Sequence, residues 1–75
     1  MVDLKTLNKT IDQSGMKLSA ISDKMGVTRT TLYNKVSGRT EFNASEIEAL
    51  ANVLHLSEKD RNSIFFAKSV VKNTT

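Results

Sequence analysis

The stretch of residues 16–38, MKLSAISDKMGVTRTTLYNKVSG, decides the fold that this sequence predicts. Apolar residues stand four positions apart in each half of it: Ile21 and Met25, then Leu32 and Val36. Side chains at this spacing share one face of a helix. Gly26 separates the two halves, and glycine ends helices readily because it takes the left-handed backbone conformation at low steric cost. The stretch is therefore predicted to form two short helices joined by a tight turn.

The second of these helices has one face suited to a negatively charged partner. Thr28 is its predicted N-cap, and the helix is expected to run from Arg29 to Val36 or Ser37 and to end at Gly38. No carboxylate stands among the residues of its outer side, which are Arg29, Thr30, Thr31, Tyr33, Asn34, Lys35 and Ser37. A helix that only needs to be soluble usually mixes acids and bases, whereas a face without acids suits the groove of a polyanion.

The stretch resembles the lambda-repressor-like (Xre/Cro) helix-turn-helix DNA-binding proteins of phages and bacteria. The matching positions are Met16, Ile21, Ser22, residues 23–27, residues 28–32, Gly38, Phe42, Ile47, Leu50, Ala51, Val53, Leu54 and Leu56. They cover nearly the whole chain. Residues 31–38, together with residues 64–66, are similar to the small Cro-type repressors of phages of Gram-positive bacteria. The resemblance implies an all-α fold, a compact five-helix lambda-repressor-like helix-turn-helix domain.

Base contacts are predicted for the start of the second helix and one turn further on. Arg29, Thr30 and Asn34 would reach base edges in the major groove, and they also match the base-reading positions of the family. Arginine pairs best with guanine and asparagine with adenine, while the threonine methyl group can touch thymine. Tyr33 is assigned to a base or phosphate contact, with shielding of the helix flank as the other interpretation.

Phosphate contacts are predicted for Lys17, Lys35, Ser37, Arg39, Thr40 and Asn43. The resemblance places the loop of Arg39 and Thr40, and the amides near Asn43, beside the DNA backbone. Many family members carry a phosphate-binding glutamine where this chain has Leu18, and a Ser or Thr cap where it has Lys17. A lysine is a poor cap but a good phosphate ligand. A solvated side chain is the competing interpretation for Lys35.

The flanking sequence predicts three further helices in a single domain of residues 1–71, followed by a flexible tail of residues 72–75. The first helix ends at Ser14 before Gly15 and has Asp3 as its cap. The fourth runs to about Leu54 from a capping box of Asn43 and Glu46, and the last begins at Ser57.

The apolar residues at the end of the chain are too many for one buried helix face. Ile64, Phe65, Phe66 and Ala67 are consecutive, and Val70 and Val71 follow. Successive helical residues differ by about 100° of rotation, so at least one of Phe65 and Phe66 is expected either to cap the edge of the core or to stay outside. A small exposed apolar patch usually has a use. Contacts with a second copy in a homodimer are therefore predicted for Ile64, Phe65, Phe66 and Val70.

Composition excludes several classes of protein. The 75 residues suffice for one small domain, and 11 Lys and Arg against 8 Asp and Glu give a net charge of +3, a mild basic bias compatible with nucleic acid. No cysteine is present, and His55 is the single histidine, so neither metal nor cofactor is expected. No motif of an enzyme active site occurs. No apolar run approaches the roughly 20 residues that span a bilayer, and a cytoplasmic protein with no membrane or small-molecule partner is expected.

The function predicted from these features is a sequence-specific regulator that binds double-stranded DNA, a Cro/CI-type phage or prophage repressor acting as a dimer on a pseudo-palindromic operator. Two alternatives stay open at this point. The chain could be a protein-interaction module, antitoxin-like or an anti-repressor, that keeps the helix-turn-helix as a scaffold. It could also be a domain cut from a longer repressor whose missing C-terminal part dimerises.

Overall fold

The computed structural model describes residues 2–66 of the chain. This part contains no strand and has five helices in order: α1 (Leu4–Ser14), α2 (Leu18–Met25), α3 (Arg29–Val36), α4 (Ala44–Val53) and α5 (Glu58–Phe65). The predicted all-α, five-helix architecture is confirmed. None of these helices is long and apolar enough to cross a bilayer. The predicted domain end at residue 71, the tail of residues 72–75 and Val70 lie outside the described residues.

Local sequence signals set where the helices begin. Side chains cap four of them by accepting a hydrogen bond from a backbone N–H of the first turn, and these caps are Asp3, Thr28, Asn43 and Ser57. All four were predicted from sequence, and each satisfies a donor that has no partner within its helix. Helix α2 is the exception, because Lys17 stands at its N-cap and forms no capping bond.

The core lies where the inward stripes of the five helices meet. Its buried residues are Leu7, Ile11, Ile21, Leu32, Val36, Leu50, Ala51, Ile64 and Phe65. Helix α2 packs against both α3 and α4, while α1 contacts α3 and α5. Ser22 is also buried where α2 packs, and its hydroxyl donates to the carbonyl of Ser19 at 2.9 Å, so this polar group is satisfied.

Two of the four predicted dimer contacts are core residues instead. Ile64 and Phe65 are 3% and 1% exposed, and the Phe65 ring packs edge-on against Phe42 with 5.5 Å between centroids. The sequence prediction rested on an excess of apolar residues over one buried helix face, which indicates that some residue stays outside but not which one. Helix α5 ends at Phe65, and Phe66 has a non-helical backbone (φ −129°, ψ 25°). The chain therefore turns there and leaves Phe66 40% exposed.

Gly38 combines a left-handed backbone with close contact to α1. Its φ is 89°, and its N–H donates to the carbonyl of Lys35 at 3.2 Å, which ends α3 as predicted. A Cβ at this position would lie 2.9 Å from Cδ1 of Leu4. Gly15 also has a positive φ, 76°, but a Cβ there would meet nothing within 4 Å. Of these two glycines, Gly38 alone has both a positive φ and a neighbouring atom in the space that a Cβ would occupy.

Replacing Gly38 by alanine should therefore cost more stability than replacing Gly15. Gly15→Ala incurs the left-handed backbone penalty, about 1 kcal/mol. Gly38→Ala adds a contact with Cδ1 of Leu4. Because this atom is the end of a flexible side chain that can shift, the total loss should be about 1–2 kcal/mol. Urea unfolding followed by circular dichroism measures both. The double variant Gly38→Ala/Leu4→Val should recover part of the difference, and equal losses in the two alanine variants would contradict the close approach.

Candidate nucleic-acid interface

Helix α3 is attached to the protein body by a narrow stripe. Within the helix, Leu32 and Val36 are 0% and 5% exposed, and they are its two buried residues. Thr28 caps its start by accepting from the N–H of Thr31 at 3.1 Å. The outer side is open: Arg29, Thr30 and Tyr33 are exposed and Asn34 is half-buried. The residues predicted to read bases therefore lie on the accessible part of this helix.

The charge of this surface is positive and largely unopposed. Helix α3 contains no acidic residue. Within residues 2–66 there are two ion pairs, Lys35 with Glu46 and Arg61 with Glu48. The exposed Lys17, Arg29 and Arg39 belong to neither pair. Their charges can therefore act on a polyanion without first breaking an internal pair.

Lys35 has a structural task in place of the predicted phosphate contact. Its Nζ lies 2.9 Å from Oε1 of Glu46 and donates to the carbonyl of Glu41 at 2.9 Å, and its side chain is 12% exposed. The ammonium therefore links the end of α3 to the start of α4. The sequence prediction considered α3 alone, and these acceptors come from the next loop and helix.

Asn43 is similarly engaged in a capping box. Its backbone N–H donates to Oε1 of Glu46 at 2.9 Å, and its Oδ1 accepts from the N–H of Glu46 at 2.9 Å. The backbone N–H of Asn43 is one of the amides that were expected to meet a phosphate, and it is already bonded to Glu46. Burial raises the pKa of Glu46, but the N–H of Asn43 and the ammonium of Lys35 outweigh it, and the pKa is lowered overall.

The loop after α3 is folded back onto the helix end. The N–H groups of Arg39 and Thr40 donate to the carbonyl of Asn34 at 2.8 and 3.2 Å, and the hydroxyl of Ser37 donates to it at 3.2 Å. All three side chains are exposed. The structure thus brings these predicted phosphate contacts together at the C-terminal end of α3, while Lys17 stands at the N-terminus of α2.

The sequence did not reveal one residue, Asn8, that contacts the end of α3. Nδ2 of Asn8, on α1, donates to the carbonyl of Val36 at 2.9 Å and to the carbonyl of Leu4 at 2.9 Å. An asparagine on an exposed helix face carries no signal of such a contact, because its partner lies 28 residues away in the chain.

A family model described as Helix-turn-helix matches residues 5–60, which include all of α2 and α3 and most of the described chain. The chain belongs to the Xre/lambda-repressor-like helix-turn-helix family. No curated protein and no solved structure gave a significant match. The family is one of DNA-binding transcription regulators and is not an enzyme family.

In the helix-turn-helix motif, α2 is the first helix and α3 is the second. His55, outside the motif, has a φ of 57° and donates its N–H to the carbonyl of Asn52 at 3.2 Å, so it ends α4 in a conformation usually taken by glycine. Among the described residues no group of three or more His, Cys, Asp or Glu is arranged to hold a metal ion.

The Lys35–Glu46 pair predicts a pH dependence of stability. Because the N–H of Asn43 and the ammonium of Lys35 together lower the pKa of Glu46 in the folded state, these contacts stabilise the fold above the ordinary glutamate value. The stabilisation is lost as pH falls through the folded-state value. Glu46→Gln should cost about 1 kcal/mol at pH 7 and progressively less below about pH 4.3.

The matched control is Glu48→Gln, which removes the more exposed pair with Arg61 at 3.3 Å, where the Glu48 side chain is 63% exposed. It should cost less than about 0.5 kcal/mol at pH 7. Urea unfolding at pH 7, 5 and 3.5 measures both variants. A difference between wild type and Glu46→Gln that is independent of pH would contradict the ion pair.

Proposed function

We propose that the chain is a Cro/CI-type repressor of a phage or prophage, which binds a pseudo-palindromic operator as a homodimer and places α3 in the major groove. The observation that carries the proposal is the open face of α3, which has hydrogen-bonding and cationic side chains and no carboxylate. Repression would follow from blocking polymerase at a promoter, and the protein would act at DNA in the cytoplasm. The phage origin rests on the similarity of residues 31–38 and 64–66 to small Cro-type repressors.

We assign base reading to Arg29, Thr30 and Asn34. Arg29 and Thr30 are the first two residues of α3 and are exposed, and in helix-turn-helix complexes the N-terminal residues of the second helix contact base edges. Asn34 lies one turn further on and is half-buried, so its amide could reach a base only at close approach. Tyr33, 46% exposed, is assigned to the edge of the same contact.

Phosphate contacts are assigned to the exposed Lys17, Ser37, Arg39 and Thr40. The assignment of Lys17 has a second support, since no side chain caps the start of α2. The uncapped N–H groups of a helix start attract anions. A phosphate at this position would meet both the amides and the Lys17 ammonium. Lys35 and Asn43 are omitted because the ammonium of Lys35 and the backbone N–H of Asn43 are bonded to Glu46.

The homodimer is proposed through Phe66. This side chain is 40% exposed and lines a cavity of about 440 Å³. The other walls include the apolar Val2, Leu4, Phe42 and Ile47 and the polar Lys35, Thr40 and Glu41. A two-fold interface needs a self-complementary patch, and an exposed ring beside a mainly apolar hollow supports this. Two weakly binding copies on neighbouring half-sites would reach a useful affinity together.

The alternative, a protein-interaction module, retains one supporting observation. The same patch around Phe66 could bind another protein, but Phe65, which was expected to enlarge it, is buried. A partner that stays bound after nuclease treatment, with no salt-dependent binding to DNA, would select this alternative. The acid-free face of α3 favours DNA.

The variant Arg29→Ala tests the proposed base contact of Arg29. A random pool of duplexes selects the operator sequence, and Arg29→Ala should then lose discrimination at one base pair of each half-site by about 1–3 kcal/mol. Arg39→Ala, a loop arginine, is the matched control and should weaken selected and random duplexes alike. Equal losses on both kinds of duplex in Arg29→Ala would remove Arg29 from base reading.

Replacing Lys17 and replacing Lys35 should have opposite effects on stability and different effects on the salt dependence of DNA binding. Lys17→Ser supplies a good N-cap to α2 and should raise stability by about 0.5–1 kcal/mol, while it weakens binding to all sequences and reduces the salt slope by about one unit. Lys35→Gln should lower stability and leave the salt slope unchanged. Urea unfolding and DNA titration at several salt concentrations measure both effects. An unchanged salt slope in Lys17→Ser would argue against the phosphate contact.

The dimer is tested by sedimentation equilibrium with and without operator DNA. Phe66→Ser should weaken self-association by at least about tenfold, the effect of 1.4 kcal/mol of lost apolar burial. Tyr33→Ser removes the other large exposed aromatic side chain, on α3, and should leave self-association without DNA unchanged. If both variants associate as the wild type does, the patch around Phe66 is not the dimer interface.

A further inference from the structure

We infer that Asn8, on α1, is a positioning residue for DNA recognition, because its side-chain amide fixes the place of the C-terminal end of α3 relative to the protein body. The inference rests on the proposed function, since α3 is the helix that we propose to read bases. Asn8 lies on a different helix and is assigned no contact with DNA.

The carbonyl groups at the end of α3 show why Asn8 is distinctive. The last four carbonyls of a helix have no partner within it. Those of Tyr33, Asn34 and Lys35 accept from the N–H groups of residues 37–40, which belong to the chain directly after the helix. These bonds move with α3. The carbonyl of Val36 accepts from Nδ2 of Asn8, so this bond ties the helix end to another element.

The Asn8 amide is itself held in place. Nδ2 donates to the carbonyl of Leu4, one turn back on α1, at the same distance of 2.9 Å. Both N–H donors of the amide therefore have acceptors, one on each helix. A side chain engaged in this way acts as a bridge of fixed length between α1 and α3.

A bridge matters here because the apolar contact of α3 is narrow. Leu32 and Val36 are its two buried side chains. Apolar burial is non-directional, so two side chains resist removal of the helix more than they resist its tilting or sliding. Hydrogen bonds depend steeply on distance and angle and restrict these motions. Asn8 supplies this restraint from α1, and Lys35 supplies it from α4 through Glu46.

The position of α3 should affect binding to the operator more than binding to random DNA. Hydrogen bonds to base edges require donor–acceptor distances of about 2.7–3.2 Å and near-linear geometry. Contacts to phosphates fix the orientation of the protein on the duplex but carry no sequence information. Without the Asn8 bond to the C-terminal end of α3, the protein should therefore lose affinity for its operator and keep most of its affinity for random DNA.

The experiment compares Asn8→Ala and Asn8→Asp with the matched control Thr10→Ala. Aspartate keeps the shape of asparagine but donates no hydrogen bond to Val36. Thr10 also lies on α1, and its hydroxyl donates to the carbonyl of Thr6 at 2.8 Å, so the control removes a bond within α1 and changes no charge. Binding is measured at a temperature at which circular dichroism shows every variant fully folded.

We expect the ratio of operator to random-DNA affinity to fall by about three- to tenfold in both Asn8 variants. The salt slope should be unchanged in Asn8→Ala, and Thr10→Ala should keep the wild-type ratio. Without DNA, amide hydrogen exchange in the last turn of α3 should be faster in Asn8→Ala and unchanged in Thr10→Ala.

Different failures have different meanings. Faster exchange with an unchanged affinity ratio would show that Asn8 only supports the fold, which overturns the inference. Unchanged exchange would show that there is no bridge and would overturn it as well. A wild-type protein with no preference for any duplex would refute the proposed function and the inference with it, whereas a strong wild-type preference that Asn8→Ala retains would refute only the inference.

Discussion

The burial of Leu32 and Val36 is the constraint on which the rest of the structure depends. These two side chains attach α3 to the core, and their spacing of four residues leaves Arg29, Thr30 and Tyr33 exposed. A wider apolar stripe would hold α3 more firmly but would cover the positions that we propose to meet DNA. Arg29 and Thr30 stay exposed, and the helix carries no acidic residue.

Bonds at the edges of α3 compensate for its narrow stripe. Lys35 connects the helix to Glu46 on α4, and Asn8 connects it to α1. A lysine that is 12% exposed and paired is therefore part of the scaffold, whereas Lys17, exposed at the uncapped start of α2, is available to a phosphate. Two side chains of identical chemistry have different surroundings, and we therefore propose different tasks for them.

Local features of the fold were predictable from sequence, and contacts between distant elements were not. The caps at Thr28 and Asn43, the glycine ends and the inward pair on α3 each depend on residues within a few positions, and the structure has all of them. The burial of Phe65, the pairing of Lys35 and the bridge from Asn8 depend on how helices meet. Periodicity gives the faces of single helices but not the partners of their side chains.

The central claim is that the open face of α3 enters the major groove of DNA. Intermolecular nuclear Overhauser effects in a complex with the selected duplex test it most directly. The account predicts contacts between the side chains of Arg29, Thr30 and Asn34 and major-groove protons, including thymine methyl groups. Contacts confined to minor-groove protons, or contacts from another surface such as that of Phe66 with none from α3, would contradict it.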